Sequence, residues 1–186
     1  MNKELENELF GIIKSDKWII EILKTIRDLE LNDCWIGAGF VRNKIWDAKH
    51  GKDRSELNDI DVIYFDKLNL DKEHDLGIEF KLKRFYPKLN WSVKNQARMH
   101  LRNGHEQYAN CNEAISFWPE TATSIAIRLS FENQIEYMAP FGLEDLFNLI
   151  VMPTPRFDLV AYEKRIERKN WKEKWNKLKI RRDHSI

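Results

Sequence analysis

Apolar residues at Trp18, Ile19, Ile22, Leu23, Ile26 and Leu29 recur every three to four positions, so 16–31 reads as a helix with one buried face. Ser15 or Asp16 suits its N-cap, where a side-chain oxygen accepts an otherwise orphan backbone N–H. An earlier helix covers 2–14. The pattern then changes. A short strand at 34–36 runs into a bend at 37–39, and a helix follows over 40–48. Residues 49–58, KHGKDRSELN, are polar and turn-rich, hence a loop. The β-branched and aromatic run at 60–65 is a strand. A helix over 71–86, which Pro87 helps to end, precedes a strand at 91–94 and a helix at 95–102. A short helix leads up to Trp118-Pro119, and the proline opens another over 120–127. The runs at 127–131 and 135–138 flank Glu132-Asn133-Gln134 as a hairpin. A helix at 143–151, a break at Pro153 and Pro155, and a long helix over 158–179 complete the chain. Strands and helices are interspersed without internal repeats. The fold class is therefore α+β: a small mixed β-sheet flanked by helices, with further helices at both ends.

Composition narrows this only partly. With 186 residues, a single domain over 1–186 is expected, with 158–182 a basic helix packed on it or appended to it. Seven Trp, ten Phe and five Tyr supply a core, which excludes a disordered chain. No apolar run approaches the roughly 20 residues of a membrane span. The polar, acidic start MNKELENELF is not a signal peptide. Two distant cysteines, Cys34 and Cys111, without a CxxC pair fit a reducing cytoplasm. Charge changes the picture more. Residues 163–183 hold ten Lys/Arg against four Asp/Glu, although the whole chain is only +1. Such a segment suits phosphate contact. The preferred reading is a solvated helix, whose Trp171, Trp175 and Leu178 bury one stripe while Glu163, Glu167 and Glu173 interleave with the bases.

The chemistry concentrates in WIGAGFVRNKIWD (35–47) and NDIDVIYFD (58–66). Side chains alternate along a strand, so Asp59 and Asp61 point the same way. Two like charges together are costly without a cation, and hard oxygen donors suit Mg²⁺ or Mn²⁺. Gly37 and Gly39 permit close backbone approach. The strand-to-helix passage through Gly37, Ala38 and Gly39 turns free N–H groups toward an anion. Arg42 lies about one turn into that helix, within reach of a phosphate. The plainer alternatives are a solvent-facing acid pair and a tight turn with Arg42 on the surface.

Ile36-Gly37-Ala38 followed by Asp59-Ile60-Asp61-Val62 resembles the hG[GS]…[DE]h[DE]h signature of the DNA polymerase β-like nucleotidyltransferase superfamily. GAGFVRN (37–43) is similar to the GGxVRD segment of tRNA nucleotidyltransferases and bacterial poly(A) polymerases. Through WSVKNQARMH (91–100), WPETAT (118–123) and APFGL (139–143), the chain also resembles a family of uncharacterised bacterial nucleotidyltransferase-like proteins over roughly residues 20–178. The resemblance implies Mg²⁺-dependent (or Mn²⁺-dependent) transfer of a nucleotidyl group from a nucleoside triphosphate to a hydroxyl. It implies Asp59 and Asp61 as metal ligands, and Gly37 and Ala38 along the triphosphate path.

One position departs from that signature. The superfamily carries a third carboxylate in an h[DE]h on a following strand, and Trp91-Ser92-Val93 puts a neutral, weakly basic serine there. Glu136, on the hairpin strand, is the stand-in of choice; Glu79 falls in a helical segment. Lys94 and Arg98 add cations, and Asn95 and Gln96 offer hydrogen bonds to a base or ribose. His100 is a general-base candidate. The competing reading of 94–100 is a polar helix start with Asn95 as N-cap. Two functions remain. One is a nucleotidyltransferase whose acceptor, RNA or a small molecule, the sequence does not identify. The other is a catalytically weak or inactive nucleotide- or RNA-binding module on the same fold.

Overall fold

The computed structural model describes residues 2–183. Two helices, α1 (Lys3–Lys14) and α2 (Lys17–Arg27), come first. Asp16 is the α2 N-cap, its carboxylate accepting from the Ile19 N–H. Strand β1 (Trp35–Gly37), helix α3 (Gly39–Lys49), strand β2 (Ile60–Tyr64), helix α4 (Lys72–Phe85) and strand β3 (Trp91–Asn95) follow. After a 3-10 turn (Gln96–Arg98) come the short helices α5 (Met99–Asn103) and α6 (Cys111–Ile115). Strands β4 (Ala126–Leu129) and β5 (Ile135–Met138) form the expected hairpin. The five strands make one mixed sheet in the order β3-β2-β1-β4-β5, with β2 and β3 parallel and the other neighbours antiparallel. The α+β expectation is met.

Alternation along the strands sorts residues onto two faces. Ile36, Ile60, Val62, Tyr64 and Val93 join α1, α2, α3 and α4 in one buried cluster. Trp35, Ile63, Phe65 and Ala126 join Tyr108, Cys111 and Ile115 in a second. Gly37 stands opposite both Asp61 on β2 and Ala126 on β4. The end of β1 and the beginnings of β2 and β4 therefore share one end of the sheet.

Three expected helices are corrected. Residues 120–127 do not form one. Thr121–Ser124 make tight turns around the Glu120 carbonyl, which accepts from the N–H groups of Thr123 and Ser124 at 3.0 Å each, and Glu120 bridges to Pro153. The expected 143–151 helix is only α7 (Glu144–Phe147). Leu149 adopts a positive φ of 61°, and Ile150–Val151, both β-branched, become strand β6. The expected 158–179 helix stops at α8 (Leu159–Lys169). Asn170 takes the left-handed conformation that Asn tolerates better than most residues. A turn of helix, α9 (Trp171–Lys174), and strand β7 (Lys179–Ile180), parallel to β6, complete the order. Trp171, Trp175 and Leu178 are buried as their spacing requires, but the break at Asn170 folds them back onto the first cluster.

Candidate active site

At the shared end of the sheet, a cleft of about 330 Å³ is lined by Ala38, Gly39, Arg42, Asn43, Asp59, Asp61 and Thr123 on one side. Arg165, Lys169, Trp171, Lys174 and Trp175 of the C-terminal segment form the other. The glycine bend, the arginine and the aspartate pair of the sequence motif thus converge.

Each part has a local cause. Gly37 is required because a Cβ there would lie 2.8 Å from the Trp118 ring and 3.0 Å from the Ile125 carbonyl oxygen. Ala38 adopts φ 52° and ψ −125°, a conformation costly for a residue with a Cβ. Its N–H donates to the Ile125 carbonyl at 3.0 Å, which pins the bend to the start of β4. Helix α3 begins immediately after, with no side-chain cap. Its first N–H groups have no intrahelical acceptor, and the positive end of its dipole favours an anion.

Arg42 is buried, with Nη1 donating to Thr123 Oγ1 at 2.8 Å and Nη2 to Asn43 Oδ1 at 2.9 Å. Its guanidinium lies over Trp46 (4.9 Å) and Trp171 (4.6 Å), and its Nε has no partner among the described residues. Burial lowers its pKa to about 10; nearby Glu120, Asp61 and Asp59 oppose that shift, and Arg165 adds to it. Arg165 is held by the fully buried carboxylate of Glu120. Lys169, one helical turn on, has its pKa lowered by burial and by the like charges of Arg165 and Arg42. Arg42, Arg165, Lys169 and Lys174 line one cleft, and such a cluster attracts an anion.

Asp61 carries the opposite perturbation. Burial and the adjacent Asp59 raise its pKa to about 6, against the neighbouring Ser92 hydroxyl and the charges of Arg42 and Lys94. Asp59 is exposed and Asp61 half-buried, and a mutually repelling carboxylate pair that opens onto a cleft fits a divalent cation with oxygen donors.

Three sequence expectations place residues elsewhere. Glu136 does not join Asp59 and Asp61. It sits on the edge strand β5, three strand steps from β2, or roughly 14 Å at the usual spacing. There it pairs with Arg128 at 2.6 Å. Asn95 and Arg98 lie at the far end of the parallel pair, level with Tyr64 rather than Asp61, roughly 10 Å away at 3.3 Å per residue. The Asn95 amide is buried, donating to the carbonyls of Asp66 and Asn69 at 2.7 Å each and capping the 3-10 turn. Arg98 pairs with the buried Asp75. Both hold the fold there. Lys94 is intermediate: its Nζ sits 3.1 Å from Glu79 Oε1, outside the cleft lining, yet its charge reaches Asp61. Conversely, Arg165 and Lys169 were hidden in a charge run that reads as solvated. Their spacing of four, on one helix face just ahead of the Trp171–Trp175 anchor, is the signal that marks them.

A mixed sheet with a strand–Gly–helix bend opposite an aspartate pair defines a nucleotidyltransferase-type domain. The comparisons make this specific: a nucleotidyltransferase family model matches residues 24–180, and the chain belongs to that family. A protein whose NMR structure reveals a CCA-adding enzyme head domain is 37% identical, with 95% of this chain and 96% of that one covered and a TM-score of 0.85. The Thermotoga maritima CCA-adding enzyme complexed with tRNA (16% identity, TM-score 0.60) shares the fold over 93% of this chain. So does a CCA-adding enzyme complexed with CTP (15%, TM-score 0.61), over 95%. The match spans only 42% and 43% of those two enzymes. No curated protein matches the chain. The fold is that of the DNA polymerase β-like nucleotidyltransferases.

Proposed function

We propose that the protein transfers a nucleotidyl group from a nucleoside triphosphate to an acceptor hydroxyl, with a divalent cation held by Asp59 and Asp61. The observation that carries this reading is the buried Arg42, its Nε unpartnered, lining the same cleft as the aspartate pair and the bare start of α3. That is a phosphate cradle facing a cation seat. Solved complexes of CCA-adding enzymes with CTP, ATP and tRNA support a triphosphate substrate and make RNA a candidate acceptor beside a small-molecule hydroxyl. Among the described residues, no helix is long and apolar enough to cross a membrane. With both cysteines free, this supports a site of action in the cytoplasm.

The chain's own residues bind and orient. The first N–H groups of α3 and the guanidinium of Arg42 hold phosphate oxygens. Arg165 and Lys169 offset the charge of the leaving pyrophosphate. Asp59 and Asp61 would hold Mg²⁺ or Mn²⁺, which when bound supplies charge neutralisation and alignment at the triphosphate. In the reaction the acceptor oxygen bonds to the α-phosphorus, the α–β anhydride bond breaks, pyrophosphate leaves, and the hydroxyl proton is released. Trp171 and Trp175 shield one side of the cleft from water.

A second reading is nucleotide binding without turnover. It is favoured by Ser92, which faces Asp61 where the resemblance calls for an acid. Incubating the purified protein with each α-labelled NTP, Mg²⁺ or Mn²⁺, and cell extract separates the two. Label transfer that falls at least about a hundredfold in both Asp59→Asn and Asp61→Asn supports the transferase. Nucleotide binding that weakens in Arg42→Met, with no transfer by wild type, supports the binding module. Neither transfer nor binding sinks both.

A further inference from the structure

The sheet ends at β5, and the register shows which backbone groups that edge offers. The Ser130 N–H donates to the Gln134 carbonyl at 2.8 Å, and the Ala38 N–H to the Ile125 carbonyl at 3.0 Å. Ladder bonds in an antiparallel pair alternate residue by residue. With Arg128 opposite Glu136 and Ile36 opposite Ile127, the backbones of Ala126 and Arg128 turn toward β5, and that of Ile127 turns toward β1. On β5, Glu136 and Met138 therefore bond to β4, while the N–H and C=O groups of Ile135 and Tyr137 face outward. Among the described residues, no backbone group bonds to them there.

A groove of about 610 Å³ runs along this edge, lined by 135–139, by Glu6 and Phe10 of α1, and by Asn112 of α6. Helix α1 packs into the first cluster and α6 into the second, on opposite faces of the sheet. The groove thus straddles the strand edge rather than lying on one face. Its ionisable lining is acidic: Glu6, Glu136 and Glu144, with no Lys, Arg or His. Glu136 is paired with Arg128. Among the described residues, Glu6 and Glu144 take part in no ion pair. Burial raises the pKa of the Tyr137 phenol, and the charges of Glu6 and Glu144 raise it further, so both acids face this strand.

We propose that the β5 edge is a docking site for an extended, basic segment of a partner protein, added to the sheet as a sixth strand. Main-chain bonds to Ile135 and Tyr137 supply affinity, and successive side chains of the segment fall alternately toward α1 and toward α6. Phe10 and Tyr137, edge to face at 5.9 Å, give the α1 side an apolar surface. Glu6 and Glu144 select Lys or Arg on the segment. A second copy of this chain is disfavoured: pairing β5 with β5 across a two-fold axis brings the acids of both copies to one seam, where like charges oppose each other. The groove shares no lining residue with the nucleotide cleft, so the proposal stands independently of the nucleotide reading.

The test uses the full chain, isotopically labelled for NMR, and an acetylated heptapeptide of alternating lysine and valine. At millimolar peptide, the Ile135 and Tyr137 amides are expected to shift and to exchange with solvent at least about tenfold more slowly. The same peptide N-methylated at its central residues is expected to do neither, because its backbone cannot join a ladder. A heptapeptide with glutamate in place of lysine is expected to bind at least about tenfold more weakly, a preference that the Glu6→Gln/Glu144→Gln double variant removes. Ile135 and Tyr137 amides that respond to neither peptide overturn the proposal. So does a response that survives N-methylation, or one indifferent to the sign of the peptide's charge. Protection of both amides without peptide, rising with protein concentration alongside a doubled sedimentation mass, gives the edge to a second copy and overturns it too. The peptide comparison on the wild type decides the question whether or not the double variant folds.

Discussion

Single residues at the bend and at the α2 cap carry measurable energies. Gly37 is packed under Trp118, so Gly37→Ala forces a methyl group into the indole and the Ile125 carbonyl. Overpacking of this kind costs about 1–3 kcal/mol, to be read from the urea midpoint at unchanged slope. Asp16 is a different case. Burial raises its pKa, but Arg54, Lys44 and the Ile19 N–H outweigh burial and hold it at about 2. An unfolded aspartate titrates near 3.9. The folded pKa is the lower one, so this stabilisation is complete above about pH 5 and is lost as pH falls through about 2. Asp16→Asn should therefore remove about 2 kcal/mol at pH 7 and make the loss of stability below pH 5 shallower by the same amount. Thermal unfolding across that pH range checks both statements.

At the level of elements, the helices and strands with strong periodicity were readable before the structure, and the reasons for the exceptions are local. Helix α2 and strand β2 follow their apolar spacing, because α2 buries one continuous face and β2 buries both of its faces between the two clusters. The 120–127 segment carries helix-compatible residues after a proline. What overrides them is Glu120, whose carboxylate has its partner in α8 and whose backbone bridges to Pro153. No pattern within six residues can announce a partner 45 positions away. Glu136 illustrates the reverse: its strand is correct, but strand order, which periodicity does not encode, separates it from the aspartates. Glu120 also gives the element-level prediction. Glu120→Gln leaves Arg165 beside a buried neutral amide and should cost about 3 kcal/mol, the usual penalty for breaking a buried ion pair from one side. Lys169 and Arg165 should lose their set position with it, so nucleotide affinity should fall alongside the unfolding midpoint.

Across the whole molecule, half of the cleft was visible in the sequence. The Gly37–Arg42 bend and Asp59–Asp61 are close in the chain, and one strand pairing brings them together. The opposite wall comes from 165–175, more than 100 residues later, through the turn at Asn170. Its basic residues read as solvated because Arg165 and Lys169 alternate with Lys164, Arg168 and Lys172, which are exposed. Only the indoles of Trp171 and Trp175 indicate that the segment docks, and they do not indicate where.

Those indoles have a practical consequence. Trp46 meets Trp171 and Trp175 edge-on, with ring centroids 5.5 and 5.2 Å apart, and the Arg42 guanidinium lies against two of the three. Indole emission responds to the field of a neighbouring charge, so this trio is expected to act as an optical reporter within the signal of the chain's seven tryptophans. Saturation with an NTP and Mg²⁺ should shift the intensity or colour of its intrinsic fluorescence, and Arg42→Met should abolish the response. A titration followed at the red edge of indole absorption would then yield occupancy directly, with no label attached to either partner.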